Sequence, residues 1–205
     1  MLILYSDLID KVEDFELLYD SFVKVYVCDF KILEDELLAT DKYVSIDKKN
    51  YKTFSSKYMQ LFLSICSGID SIAEEFCVAL DEFNNVKNKR KSMIQRFLQI
   101  KKDYCENISN EVVEVNLVGY KVCIHPFSKF SEQSCGDWWQ DYNQVKHLRS
   151  GAVESSNGNM FNYELANLKN VMHALSAYYL LISLINRFLT SNGEPVKSQM
   201  FSYKW

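Results

Sequence analysis

Only 2 prolines and 6 glycines punctuate this chain of 205 residues. Tight turns draw on those two residue types, so a fold of many short strands has too few corners here, whereas long helices need few. The apolar residues agree. Leu8, Val12, Phe15, Leu18, Phe22, Tyr26, Phe30, Leu33 and Leu37 recur at three- and four-residue steps, which predicts a helix over about 6–38 capped by Ser6 or Asp7. A Lys-rich loop comes next over about 40–53. A second stripe, with Tyr58, Phe62, Ile65, Ile69, Ile72, Phe76 and Leu80, predicts a helix over about 55–83. Gly68 interrupts it at a cost of about 1 kcal/mol relative to Ala, which points to a close approach by another element. Met93, Phe97, Ile100 and Tyr104 mark a third helix over about 89–107. The period then changes to alternation over 111–117 and 120–124 with Gly119 between, which reads as a β-hairpin ended by Pro126. A fourth helix starts near Gly136-Asp137, residues 150–162 read as a Gly/Ser/Asn-rich loop, a fifth helix covers about 163–189, and an irregular tail fills 191–205. The fold class expected is mostly α: one domain over 1–205, an up-and-down bundle of about five helices with a small β-hairpin insertion at about 111–125.

Composition bounds what such a bundle does. Apolar residues make up 48%, and 13 Tyr with 13 Phe supply bulky core material, so the chain buries a core without staples. The net charge of −4 carries no general basic balance, so nucleic-acid binding requires a local patch. Cys28, Cys66, Cys77, Cys105, Cys123 and Cys135 are scattered, with no C-x-x-C pair. That usage fits small buried hydrophobes in a reducing, cytoplasmic compartment and offers no zinc site. The start of the chain lacks the charged opening and long apolar stretch of a signal peptide. Residues 171–189 are apolar, but the run uninterrupted by strongly polar residues, Ala174 to Ile185, is too short to cross ~30 Å of hydrocarbon at ~1.5 Å per residue. A buried core helix is expected, with no membrane partner.

Chemistry concentrates at Tyr142-Asn143-Gln144-Val145-Lys146-His147-Leu148-Arg149. On a helix Asn143 and His147 are i,i+4 neighbours, and Tyr142, Lys146 and Arg149 form an adjacent row. The cations suit a phosphate, the imidazole moves protons near neutral pH, and aromatic rings stack on bases. The same pattern also fits a solvated face with Trp138 and Trp139 anchored in the core. Asn167, Asn170 and His173 make a polar strip on the fifth helix, which must meet water, a polar partner or a ligand because unpaired burial is costly. His125, before Pro126, reads as a residue at the boundary of a strand. Asp70 and Glu74 are i,i+4 neighbours that suit a solvated acidic face, a metal or an ion pair with the motif. Lys87 to Lys91 is a short basic cluster that reads as exposed charge. No Gly-rich phosphate loop, Ser-His-Asp set or H-E-x-x-H pattern occurs.

Trp138-Trp139-x-x-Tyr142-Asn143-x-x-Lys146-His147-x-Arg149, the adjoining polar loop, and Ala166-Asn167-Leu168-Lys169-Asn170-Val171 opening a long apolar helix resemble the HEPN superfamily, nearest to bacterial HEPN-like proteins with an Asn-x-x-Lys-His signature. The resemblance spans about 138–184. It implies a helical bundle that dimerises with the motifs facing, and a metal-independent ribonuclease of toxin–antitoxin or phage-defence type, with RNA as substrate and an antitoxin or defence protein as partner. It implies no cofactor and no metal. His147 takes the family's His position and Asn143 its polar position; Lys146 and Arg149 join them as catalytic candidates. Trp139, Tyr142, Asn170 and His173 are the candidates for substrate contact. The chain departs from the family where an Arg is expected, which is Tyr142, and a phenol does not replace that charge. The alternative implied by this departure is an inactive RNA- or protein-binding module.

Overall fold

A computed structural model of the chain describes residues 15–83, 87, 89–155, 158–190 and 193–204. The proposed cap at Ser6 or Asp7 lies outside these residues, as does the start of the first stripe. The rest of that stripe forms one continuous rod: helix α1 (Phe15–Phe22), a π turn (Val23–Val27) and helix α2 (Cys28–Thr40). At the π turn the Cys28 N–H reaches back five residues to the Val23 carbonyl. Helix α3 (Ser56–Phe83) comes next, then α4 (Met93–Asp103), the strands β1 (Val113–Leu117) and β2 (Tyr120–Ile124), and α5 (Gly136–His147). A second hairpin, β3 (Ala152–Ser155) and β4 (Gly158–Phe161), leads through a 3-10 turn (Asn162–Leu165) into α6 (Leu168–Leu189), and β5 (Phe201–Ser202) lies near the end.

The protein is mostly helical, as expected. Helix α6 is its axis. Leu168, Val171, Met172, Leu175, Tyr178 and Ile182 are buried without exposure, and α2, α3 and α5 pack around it. Mean hydropathy and length make α6 the one described helix apolar enough to cross a membrane, and 89% of that apolar window is buried within the fold. Its most extensive packing is against α3, and Gly68 lets the Tyr178 ring of α6 come up to the α3 backbone. A Cβ there would stand 2.9 Å from the Tyr178 ring, so the interruption seen in the second stripe is a contact between the two helices.

Several boundaries differ from expectation, each for a local reason. Helix α4 starts at Met93 rather than 89 because Ser92 and Gln95 form a capping box: the Gln95 Oε1 accepts the Ser92 N–H at 2.8 Å. Helix α6 starts at Leu168 rather than 163 because the Asn167 side chain caps it, accepting the Asn170 N–H at 3.1 Å. The segment expected as a loop over 150–162 carries the β3–β4 hairpin, in register Ala152↔Phe161. The tail expected as irregular contains β5, which pairs antiparallel with β1 and completes a three-stranded sheet in the order β2-β1-β5. The first hairpin matches its prediction, with Gly119 at φ +78° in the turn.

The tail is held by a buried charge. Glu34 of α2 is 1% exposed. Its carboxylate accepts the Met200 N–H at 3.0 Å, the Gln199 N–H at 3.1 Å and the Ser198 hydroxyl. Three donors offset the cost of burying it. Phe201 then packs on Tyr179 and Phe30.

Candidate functional site

Helix α5 carries the motif, and its two faces divide cleanly. Trp138, Trp139, Tyr142 and Val145 are buried. They continue a chain of rings: Phe130 to Trp138 at 5.5 Å, Trp138 to Trp139 at 5.6 Å, Trp139 to Tyr142 at 5.0 Å and Tyr142 to Phe62 at 6.1 Å. The Trp138 indole N–H finds the Pro126 carbonyl at 2.8 Å, so the polar tip of this ring is satisfied inside. The expectation that Trp139 and Tyr142 face a substrate is not met, because packing places both rings in the core. Burial pushes the Tyr142 phenol up to about 12, so it stays neutral.

Asn143, Lys146 and His147 emerge together on the exposed face, and Arg149 lies in the turn beyond. Lys146 folds back so that its Nζ stands 5.3 Å from the centre of the Tyr142 ring. Lys146 and His147 occupy the last turn of α5, where the helix dipole favours cations. The turn after α5 is fixed from the far side of the β3–β4 hairpin. Asn162 is buried, and its Nδ2 donates to the Leu148 carbonyl at 2.7 Å while its backbone N–H donates to the Gly151 carbonyl at 2.8 Å. The Tyr163 N–H donates to the Arg149 carbonyl at 3.2 Å. Arg149 is thus held at its backbone, with its side chain exposed.

Asn170 and His173 lie elsewhere. The buried Asn170 donates from Nδ2 to Asp141 of α5 at 2.7 Å and to the Leu165 carbonyl at 2.8 Å. Those bonds seat α6 against α5 and account for Asn170, as the cap on α6 accounts for Asn167. Burial holds the Asp141 carboxyl above its ordinary value, partly countered by the Asn170 bond. His173 is half-buried, and desolvation with Lys169 and Lys129 nearby pushes it down to about 4. It is neutral at physiological pH and joins neither Asn143 nor His147 in any hydrogen bond of the described residues.

The weaker candidates resolve similarly. Asp70 and Glu74 are neither a free acidic face nor tied to the motif: both grip Arg96 of α4, Asp70 Oδ1 at 2.5 Å. Lys91 of the basic cluster pairs with Asp81, and Lys87, Lys89 and Arg90 are exposed; Asn88 lies outside the described residues. His125 is exposed at the end of β2. Among the described residues no three His, Cys, Asp or Glu side chains gather as a metal-holding group.

One feature escapes a reading of the sequence. Beside Arg149 opens a cleft of about 590 Å³, walled by Phe54, Ser55 and Ser56 at the start of α3 and by Phe161 and Tyr163. Tyr163 lies nearly parallel to Phe161, centroids 5.8 Å apart, and meets Phe54 edge-on at 5.5 Å. All three rings stay 40–45% exposed. Two aromatics spaced i,i+2 in a Gly/Ser/Asn-rich stretch are the available signal. Phe54 comes from more than 100 residues away along the chain, joined through its bridge to Asn167. No family profile, no curated protein and no solved structure matches this chain.

Proposed function

We propose that this chain is a HEPN-like, metal-independent endoribonuclease of a bacterial toxin or phage-defence type, working in the cytoplasm as a homodimer with His147 at the dimer interface. In this reading the helices form an up-and-down bundle, and an antitoxin or another defence-system protein restrains the activity. The observation that carries it is the position of Lys146. Its ammonium stands over the ring of Tyr142, the residue at the family's Arg position, so a cation occupies that neighbourhood although the Arg is gone. Asn143 and His147 share the same exposed end of α5.

The RNA 2′-hydroxyl attacks the adjacent phosphorus. A base removes its proton, the P–O5′ bond breaks, and an acid protonates the departing 5′-oxygen. His147 takes one of these roles and the partner protomer's copy the other. Lys146 and Arg149 hold the charge growing on the phosphate oxygens, and Asn143 orients the phosphate or the imidazole. The products carry 2′,3′-cyclic phosphate and 5′-hydroxyl ends.

A second reading, an RNA- or protein-binding module without catalysis, is favoured by the burial of Tyr142, 3% exposed and unable to reach a phosphate. The deciding experiment incubates wild type and His147→Ala with a mixed RNA pool in EDTA and analyses the ends formed. Cleavage to cyclic phosphate, falling by on the order of a hundredfold or more in the variant, is expected. Undiminished cleavage by His147→Ala would sink the nuclease reading. RNA binding without cleavage by folded wild type would establish the binding module.

A further inference from the structure

We propose that the cleft of Phe54, Phe161, Tyr163 and Arg149 holds an unpaired base and its phosphate from single-stranded RNA. The inference deepens the ribonuclease reading and rests on it for the choice of RNA. Its own support is the chemistry of the walls.

Three rings that remain 40–45% exposed form one continuous patch. Exposed aromatic surface gathered in one concavity marks a contact site more often than solvent-facing chance. Tyr163 has Phe161 laid along one side and Phe54 edge-on, which holds its ring in place as a flat platform. A nucleobase offers the matching π face, and stacking tolerates any base. Arg149 is the charged side chain of the walls, and no Asp or Glu lines the cleft among the described residues. In a chain of net charge −4 that local balance selects an anion. The hydroxyls of Ser55 and Ser56, at the opening of α3, add donors to the lining. An apolar peptide would leave the guanidinium and these hydroxyls unanswered; a nucleotide uses rings, cation and hydroxyls together. At about 590 Å³ the cleft lies within the range of small-molecule sites, ample for a nucleotide unit. The turn fixed by Asn162 joins it to the end of α5 that bears His147, so a strand seated here passes close to the motif.

The test is made in the His147→Ala chain with EDTA, so that binding is read without cleavage. The probe is a short fluorescein-labelled oligouridine, followed by anisotropy. Tyr163→Ala and Phe161→Ala are each expected to weaken binding on the order of ten- to a hundredfold. Tyr163→Phe is expected to bind as the parent does. An abasic strand of equal length and charge is expected to bind the parent as weakly as the intact strand binds Tyr163→Ala. Thermal melts confirm that the ring variants fold; the abasic arm needs no variant and stands regardless.

Equal binding of abasic and intact strands overturns the proposal, as do ring variants that bind normally. Uridine monophosphate binding as tightly as the strand also overturns it, because the site would then serve a free nucleotide. A folded parent that ignores the strand overturns it too, and points to a protein occupant. These failures are separable from that of the nuclease reading. Cleavage surviving in His147→Ala removes that reading and leaves base-dependent binding untouched.

Discussion

At the scale of single residues, Gly68 shows how a local penalty reports a distant contact. Helix propensity alone says that Ala is better by about 1 kcal/mol at an interior helical position. The Tyr178 ring, 2.9 Å from where the new methyl would sit, says the opposite. Tyr178 cannot simply retreat, because its hydroxyl donates to Asp29 at 3.1 Å. Gly68→Ala is therefore expected to destabilise by about 1–3 kcal/mol, a fall in Tm of several degrees. A melt showing Gly68→Ala at or above the wild-type Tm would mean that propensity wins and the packing argument fails. The motif teaches the converse. Asn143, Lys146 and His147 are readable as sharing a face because spacing alone sets helical neighbours. That Tyr142 is buried is not readable from the motif: it turns inward because Phe62 of α3 waits there, and that contact joins segments 80 residues apart.

At the scale of elements, the long stripes and the alternation of β1 and β2 are legible in the sequence, and the strands β3, β4 and β5 are not. A helix of 28 residues such as α3 repeats its signal over many turns. Strand β5 has two residues and exists through partners far along the chain: Val115 opposite Phe201, and Glu34 on α2. No window of sequence around 198–202 contains that information. The clamp predicts its own fragility. Glu34→Ala removes the acceptor for two backbone N–H groups and a hydroxyl, at about 2–4 kcal/mol in total. Limited proteolysis is expected to nick residues 193–204 far faster in this variant than in wild type. Glu34→Gln, though the same size, should behave nearly as badly, because half of its amide offers donors to donors. A Glu34→Gln tail as resistant as wild type would show that shape, rather than the carboxylate, holds it.

For the whole molecule, the core is more visible in the sequence than the surface. The apolar segment over 171–189 reads as interior, and α6 lies there. The cleft is invisible because its walls are contributed by segments around 54, 149 and 161–163 that only folding brings together. Stability against pH is a property of the whole fold, and His173 gives it a direction. Its folded value of about 4 lies below the ordinary 6.5, so between these values the unfolded chain binds the extra proton. Stability contributed by the neutral imidazole is present above pH 6.5 and is lost progressively as pH falls toward 4. Tm is expected to drop from pH 7 to pH 5 in wild type, and His173→Gln should lose part of that drop. An identical drop in both proteins would remove His173 from the account.

The π turn at Val23–Val27 has a meaning in the currency of insertions and deletions. A π turn is an α-helix with one residue too many, absorbed without rotating what lies on either side. Elsewhere, removing a residue from a helix turns everything beyond it by about 100° and carries the buried face out to solvent. Here removal should leave both halves of the rod in register. Val25 is the residue to omit, since 55% of it is exposed. A chain lacking Val25 is expected to fold with a Tm within several degrees of wild type, the difference reflecting the weak 3.5 Å bond from the Tyr178 hydroxyl to the Tyr26 carbonyl. Omission of Ser71 from α3, also exposed, should abolish folding. If the two shortened chains fare alike, the extra residue is integral to the rod, and its length was never negotiable.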